Sequence, residues 1–298
     1  MKALLQITAL LLPAVLWAAG DNVNYRYDQA GRLVAVEFAS GSRIDYVYDA
    51  AGNLLRREVT AAGGFATVSS ATFAEGDPLA PESIASGFGA GLATGTASAK
   101  ETPLPTELLG TRVEITDSAG KVRAAPLFFV SPGQVNYLIP PGTAPGQAVV
   151  RTISGAGGVI PGVLEIAPVA PGLYTFNQQG TGIAAAFSLR VAADGTQTRD
   201  LLVEGDTLEP KPVDLGPAGD RVYLELFGTG MRGVSQGATA RVGGEPVDVF
   251  GPVAHSVFPG LDQINIGPLP RSLAGRGAVE IRITVDGVEA NVVQVMLR

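Results

Sequence analysis

The sequence predicts an all-β protein: two tandem immunoglobulin-like β-sandwiches behind a small N-terminal β-hairpin or meander. Three observations predict it. Gly supplies 39 and Pro 21 of the 298 residues while only 16% are charged, which favours short strands between tight turns over long polar-faced helices. Apolar and polar residues alternate in runs such as Val279, Ile281, Ile283, Val285 against Glu280, Arg282, Thr284. A landmark also recurs: Pro132-Gly133-Gln134-Val135-Asn136 is echoed by Pro259-Gly260 and Gln263-Ile264-Asn265, with the glutamines 129 residues apart, about one domain length.

In chain order, residues 1–20 read as a signal peptide. Lys2 is a basic start, Ala3 to Trp17 an apolar run, and Ala18-Ala19-Gly20 a small-residue site with cleavage expected after Gly20. The run is shorter than the roughly 20 residues a spanning helix needs, and Pro13 interrupts it. The expectation is a secreted, periplasmic or cell-surface protein with no membrane span after cleavage. Cysteine is absent, so no disulfide framework holds the chain. A net charge of −7 and a pI near 4.8 argue against nucleic acid, and Arg56-Arg57 is followed by Glu58, as on a solvated strand.

Residues 21–60 carry a small repeat. Tyr27-Asp28-Gln29-Ala30-Gly31 and Tyr48-Asp49-Ala50-Ala51-Gly52 are 21 residues apart. In each, the Asp side chain is placed to accept from an amide two residues on, and the Gly closes a turn that favours positive φ. Val34, Val36 and Phe38 alternate into Ser40-Gly41-Ser42, and Ile44, Tyr46 and Tyr48 alternate out of it, as in a hairpin. This segment resembles the YD repeat of Rhs-type proteins. In that family long arrays build a β-shell around a cargo; with fewer than two units here, encapsulation is not carried over.

Residues 61–64 are small and mark a linker, with one sandwich expected over 65–168 and a second over 169–298. Each copy has a strand running into Phe-Gly-x-Gly: Ser83 to Phe88 into Gly89-Ala90-Gly91, and Val222 to Phe227 into Gly228-Thr229-Gly230. The first copy has a longer loop around Thr94 to Pro105. Ala148 to Ile153 and Val159 to Ile166 form a hairpin about Gly155–Gly158, and Val288 to Leu297 returns antiparallel after Asp286-Gly287. The turn-rich stretch 177–219, with a strand over Ile183 to Val191, is assigned to the second sandwich. With Leu79–Ile84, Pro126–Asn136 and Ala170–Thr175 in the same order, residues 65–298 resemble a paired Ig-like region similar to IPT/TIG modules of secreted bacterial proteins. The resemblance implies export and sandwich architecture and brings no catalytic residue with it.

The chemistry-bearing residues point away from catalysis. His255 is the single histidine, beside Ser256 and seven residues before Asp262, but no GxSxG elbow frames a serine. His255 is expected at a strand end or loop. One His and no Cys do not supply a zinc set. Asp117-Ser118-Ala119-Gly120, Asp194-Gly195 and Asp286-Gly287 lack the dense carboxylates of a calcium loop and read as turns. Glu114, Asp214, Glu225 and Glu245 are dispersed, with surface solvation expected. FGAGL and FGTGM match neither GxGxxG nor GxxxxGK[ST] and read as structural turns. No catalytic, cofactor-binding or metal residue is therefore assigned, and no cofactor.

The expected function is a non-enzymatic extracellular interaction or structural module, with polysaccharide or surface-protein partners at its loop tips. Two alternatives accompany it: a C-terminal sorting or anchoring region of a degenerate Rhs protein, and a polysaccharide hydrolase with a cross-strand carboxylate pair. Tyr137 and Tyr174 are read as exposed aromatics. Gln134/Asn136 and Gln263/Asn265 are expected to bond neighbouring backbone as part of the fold.

Overall fold

The computed structural model describes residues 23–28, 30–38, 43–49, 52, 54–60, 64–205 and 208–298. The expected leader, the hairpin tip Ser40–Ser42, most of the 61–64 linker and the side chains of Arg56, Arg57 and Glu58 lie outside the described residues. The described chain is almost entirely β, with one short 3-10 turn at Arg271–Leu273.

The first unit is a four-stranded antiparallel meander in chain order: Val23–Tyr27, Leu33–Phe38, Arg43–Tyr48 and Leu54–Thr60. Its first turn works as the YDxxG spacing requires. Asp28 Oδ1 accepts from the Ala30 and Arg32 amides, both at 2.9 Å, Oδ2 accepts from Arg32 Nε at 2.8 Å, and Gly31 takes φ +76°. The Arg32 guanidinium then lies 5.0 Å from the Tyr48 ring centre, and the Tyr48 hydroxyl donates to Leu33 O, tying the two copies of the repeat together.

Two pairs of stacked sheets follow. In the first, a five-stranded sheet runs in the order Ala66–Ser69, Ile84–Phe88, Gln134–Leu138, Leu127–Val130, Ala97–Ser98. A four-stranded sheet (Val159–Ile166, Gly146–Ile153, Arg112–Thr116, Val122–Ala124) lies against it. Between them sits a core that includes Val113, Ile115, Val135, Tyr137, Ile139 and Val150, each fully buried. The loop expected at Thr94 to Pro105 is longer because it supplies the edge strand Ala97–Ser98, which pairs with Phe129 and Val130.

In the second pair, a sheet of Gln197–Leu201, Ala186–Val191, Arg221–Thr229, Asp262–Ile266 and Val249–Ala254, with Gly172–Leu173 beside Arg221–Thr229, packs on Glu245–Val247, Ala238–Val242, Gly277–Val285 and Val293–Leu297. Val279, Ile281, Ile283 and Val285 all point into this core, at 8% exposure or less. Their burial contributes roughly 6–12 kcal/mol before entropy, at about 1.5–3 kcal/mol each. The return strand expected over Val288 to Leu297 is interrupted. Asn291 leaves the ladder to accept from the Leu173 amide at 2.7 Å and to donate to Leu173 O and Gly180 O.

The two sandwiches share a third, smaller core. Ile84, Leu138 and Ala71 of the first meet Tyr174, Ala185, Phe187, Phe227 and Leu261 of the second. The Ile84 amide donates to Thr229 Oγ1 at 2.9 Å, and Thr229 Oγ1 donates to Gly260 O at 2.8 Å. Arg232 reaches Glu82 across the junction while its Nε holds Asp262, which is fully buried. Tyr137 and Tyr174, expected at the surface, are both buried: Tyr137 donates to or accepts from Thr67 Oγ1, and Tyr174 does the same with Ser70 Oγ. Burial pushes both phenol pKa values up. Tyr137 faces the first core from its strand Gln134–Leu138, whereas Tyr174, just after Gly172–Leu173, is covered at the junction of the two sandwiches.

Candidate functional site

The most distinctive open surface is the outer face of the second sandwich's larger sheet. Strand alternation turns Val222, Leu224 and Leu226 into the core, leaving Tyr223, Glu225 and Phe227 outward. Register then fixes their neighbours. Glu225 stands opposite Phe187 on one side and Asn265 on the other, and Asn265 stands opposite Phe250. One row across the sheet therefore reads Leu201, Phe187, Glu225, Asn265, Phe250. The next row carries Phe227, Gln263 and Val253.

The face changes character along its length. At the Phe227 end it is covered by the first sandwich; at the Tyr223 end it is open. Phe250 is 53% exposed and lies edge-to-face with Tyr223, ring centres 6.3 Å apart. Between them and the covered end, Gln263 Nε2 donates to Asn265 Oδ1 at 2.9 Å. This leaves the Asn265 amide hydrogens and the Gln263 carbonyl as polar groups on a half-buried surface. Arg199 lies flat over Phe187, its Cζ 3.6 Å from the ring centre, and pairs with Glu225 at 2.6 Å. Glu225, expected as a solvated surface acid, is thus a largely buried partner, its side chain 14% exposed.

His255 follows the strand Val249–Ala254, as expected, and borders this face. Its ring centre is 5.2 Å from Phe258 and 6.0 Å from Phe227. Nδ1 accepts from the Val257 and Phe258 amides at 3.2 and 3.3 Å. Burial, with Arg199 nearby, lowers its pKa. The nearby carboxylate in sequence is committed elsewhere: Asp262 accepts from the Met231 amide at 2.8 Å and from Arg232 Nε at 2.7 Å. Desolvation raises the Asp262 pKa against those donors. His255 and Asp262 serve structure and do not form a relay.

The turn aspartates accept from protein donors. Asp286 accepts from the amides of Ser235, Gln236 and Gly237 and from Ser235 Oγ, at 2.7 to 3.0 Å. Asp117 accepts from the Ala119, Lys121 and Ala144 amides and from Arg123. Asp194 accepts from the Thr196 amide. Among the described residues no group of three or more His, Cys, Asp or Glu converges as a metal site. The second Phe-Gly turn leaves no room for side chains: a Cβ on Gly228 would fall 2.4 Å from Gly172 O, and one on Gly230 2.1 Å from Ala170 O. On the core side of the same sheet, a cleft of about 200 Å³ is lined by Ser188, Arg190, Asp200, Lys211, Asp214 and Arg298 among others. Its cations pair with Asp220, Asp200 and Asp214 respectively for Arg190, Lys211 and Arg298.

Sequence reasoning missed Tyr223, Phe250 and Arg199. The signal was present in part: Phe250 is an aromatic in the run Val249-Phe250-Gly251-Pro252-Val253, and Tyr223 sits out of phase with Val222, Leu224 and Leu226. What periodicity does not reveal is which outward face remains open.

Residues 19–66 match the family model of the RHS repeat, which supports the Rhs-type reading of the N-terminal segment. No curated protein matches the chain. Among solved structures, a similar one is SGBP-B of the Bacteroides ovatus mixed-linkage glucan utilization locus in complex with a mixed-linkage heptasaccharide. The likeness is 10% identical with a TM-score of 0.29, and it covers 86% of this chain and 53% of that one. The chain therefore spans about half the length of that protein. Among the described residues no helix is long and apolar enough to cross a membrane.

Proposed function

We propose that the chain is a non-enzymatic interaction module of the cell exterior, exported by the leader at residues 1–20. In this reading residues 65–298 are a paired Ig-like region of the IPT/TIG kind, carried behind a short Rhs-type meander. The observation that carries the reading is the open end of the outer face in the second sandwich. Exposed Phe250, half-buried Tyr223 and the Gln263–Asn265 amide pair form a surface suited to contact, with no nucleophile beside a base. The reading thus moves the contact surface from the loop tips to a sheet face. The turn aspartates at those tips are already bonded to their own backbone.

The test is retention on immobilised polysaccharides and surface-protein extracts, comparing the mature chain with a Tyr223→Ala, Phe250→Ala double variant of unchanged melting temperature. Retention lost in the variant supports the reading. Turnover of any polymer, with product release that tracks the protein, contradicts it.

A further inference from the structure

The two copies of the sandwich place equivalent side chains on equivalent faces, so each is a control for the other. Phe88 pairs with Gln134 in the first copy and Phe227 with Gln263 in the second. By the same register, Ser86 and Asn136 match Glu225 and Asn265, and Phe129 opposite Asn136 matches Phe250 opposite Asn265. Two residues further along, Ile84 and Leu138 match Tyr223 and Gly267.

In the first copy this face is dry. Ile84 is 2% exposed, Leu138 9% and Phe129 4%, and Ile84 and Leu138 pack against the second sandwich. In the second copy the aromatic anchor is kept, but the positions around it change. Tyr stands for Ile, Glu for Ser, and Gly267 takes the place of a leucine beside Tyr223. The aliphatic pair that seals the first face against protein is absent here: a hydroxyl-bearing ring stands in place of Ile84 and no side chain in place of Leu138, while Phe250 is left open. Charges on and around it balance: Arg199 and Arg221 against Glu225 and Asp248, with Arg199 and Glu225 paired directly. The surface crosses five strands, about 19 Å at some 4.8 Å per step.

We propose that the open end of this face binds an uncharged polysaccharide chain laid across the strands. The Phe250 ring meets the C–H face of a sugar ring, and the Tyr223 hydroxyl and the free amide groups of Gln263 and Asn265 exchange hydrogen bonds with its hydroxyls. Charge balance sets the preference: a uronate polymer gains no excess of cations to neutralise it. The proposal rests on the reading of the chain as an interaction module and narrows its partner.

The experiment is calorimetric titration of the mature chain with cellohexaose, mannohexaose, xylohexaose and hexagalacturonate, beside sedimentation velocity of the free protein. Binding of at least one neutral hexasaccharide is expected, weakened about tenfold or more by Phe250→Ala, a change at a side chain 53% exposed. Gln263→Ala is the second variant and is expected to weaken the same ligand. Preference for hexagalacturonate, binding untouched by Phe250→Ala, or no binding to any neutral hexasaccharide overturns the proposal. In that last case, self-association that depends on Phe250 leaves the interaction-module reading standing with a second copy as partner. Monomers indifferent to Phe250 bring down both.

Discussion

Asn136 and Asn265 show how one residue type serves two environments. Both sit two positions after a glutamine, and in both copies the glutamine Nε2 donates to the asparagine Oδ1, at 2.8 and 2.9 Å. Each pair bonds side chain to side chain along one strand face, because residues i and i+2 share a side. Asn136 is 2% exposed and Asn265 half-buried. Asn136→Ala therefore strands polar groups away from water and costs about 1–3 kcal/mol, whereas Asn265→Ala costs about 1 kcal/mol or less. Urea denaturation of the two variants checks the ordering. The repeat of Gln-x-Asn was legible in the sequence. Which copy faces solvent was not, because that depends on where the second sandwich lands.

At the scale of single elements, the turns are the best-read part of the chain. Asp28-Gln29-Ala30-Gly31, Asp117–Gly120 and Asp194-Gly195 were read as turns from residue type and spacing alone, and each has its carboxylate on backbone amides. Asp117 goes further than the sequence indicated, since it also bonds the Ala144 amide of a distant loop and Arg123. The Ala144 amide first, then the Lys121 amide and Arg123, hold its pKa down to about 2 from 3.8. A carboxylate with a lowered folded-state pKa stabilises the fold above its unfolded value, and that contribution is lost as pH falls through the folded value. Asp28, Asp194, Asp214 and Asp286 are shifted in the same direction. Asp262, raised by burial, works in the opposite sense. Stability is expected to fall as pH drops from about 4 towards 2, and Asp117→Asn is expected to flatten that slope in melting curves taken across the window. A slope unchanged by the substitution would sink the assignment.

On the scale of the whole molecule, the all-β sandwich class was legible because alternation and turn residues agree. The junction was not, since Ile84, Leu138, Phe187 and Phe227 occupy outward positions that alternation alone would leave at the surface. Gly260 sits at that junction with φ +77°, and a Cβ there would lie 2.4 Å from Ile84 Cγ1 and 2.7 Å from Leu138 Cδ1. Gly260→Ala combines a left-handed backbone penalty of about 1–2 kcal/mol with overpacking of about 1–3 kcal/mol. Calorimetry is expected to show the two sandwiches unfolding in one transition in the parent and in two in the variant.

The same junction explains why one end of the outer face is covered and the other is left for a partner. That claim is tested most directly by backbone NMR of the mature chain during titration with the neutral hexasaccharides. The account predicts that amide shifts concentrate at Tyr223, Glu225, Phe250, Gln263 and Asn265. Shifts confined to the loop tips around Asp117–Lys121 and Asp194–Thr196, with the sheet face silent, would contradict it.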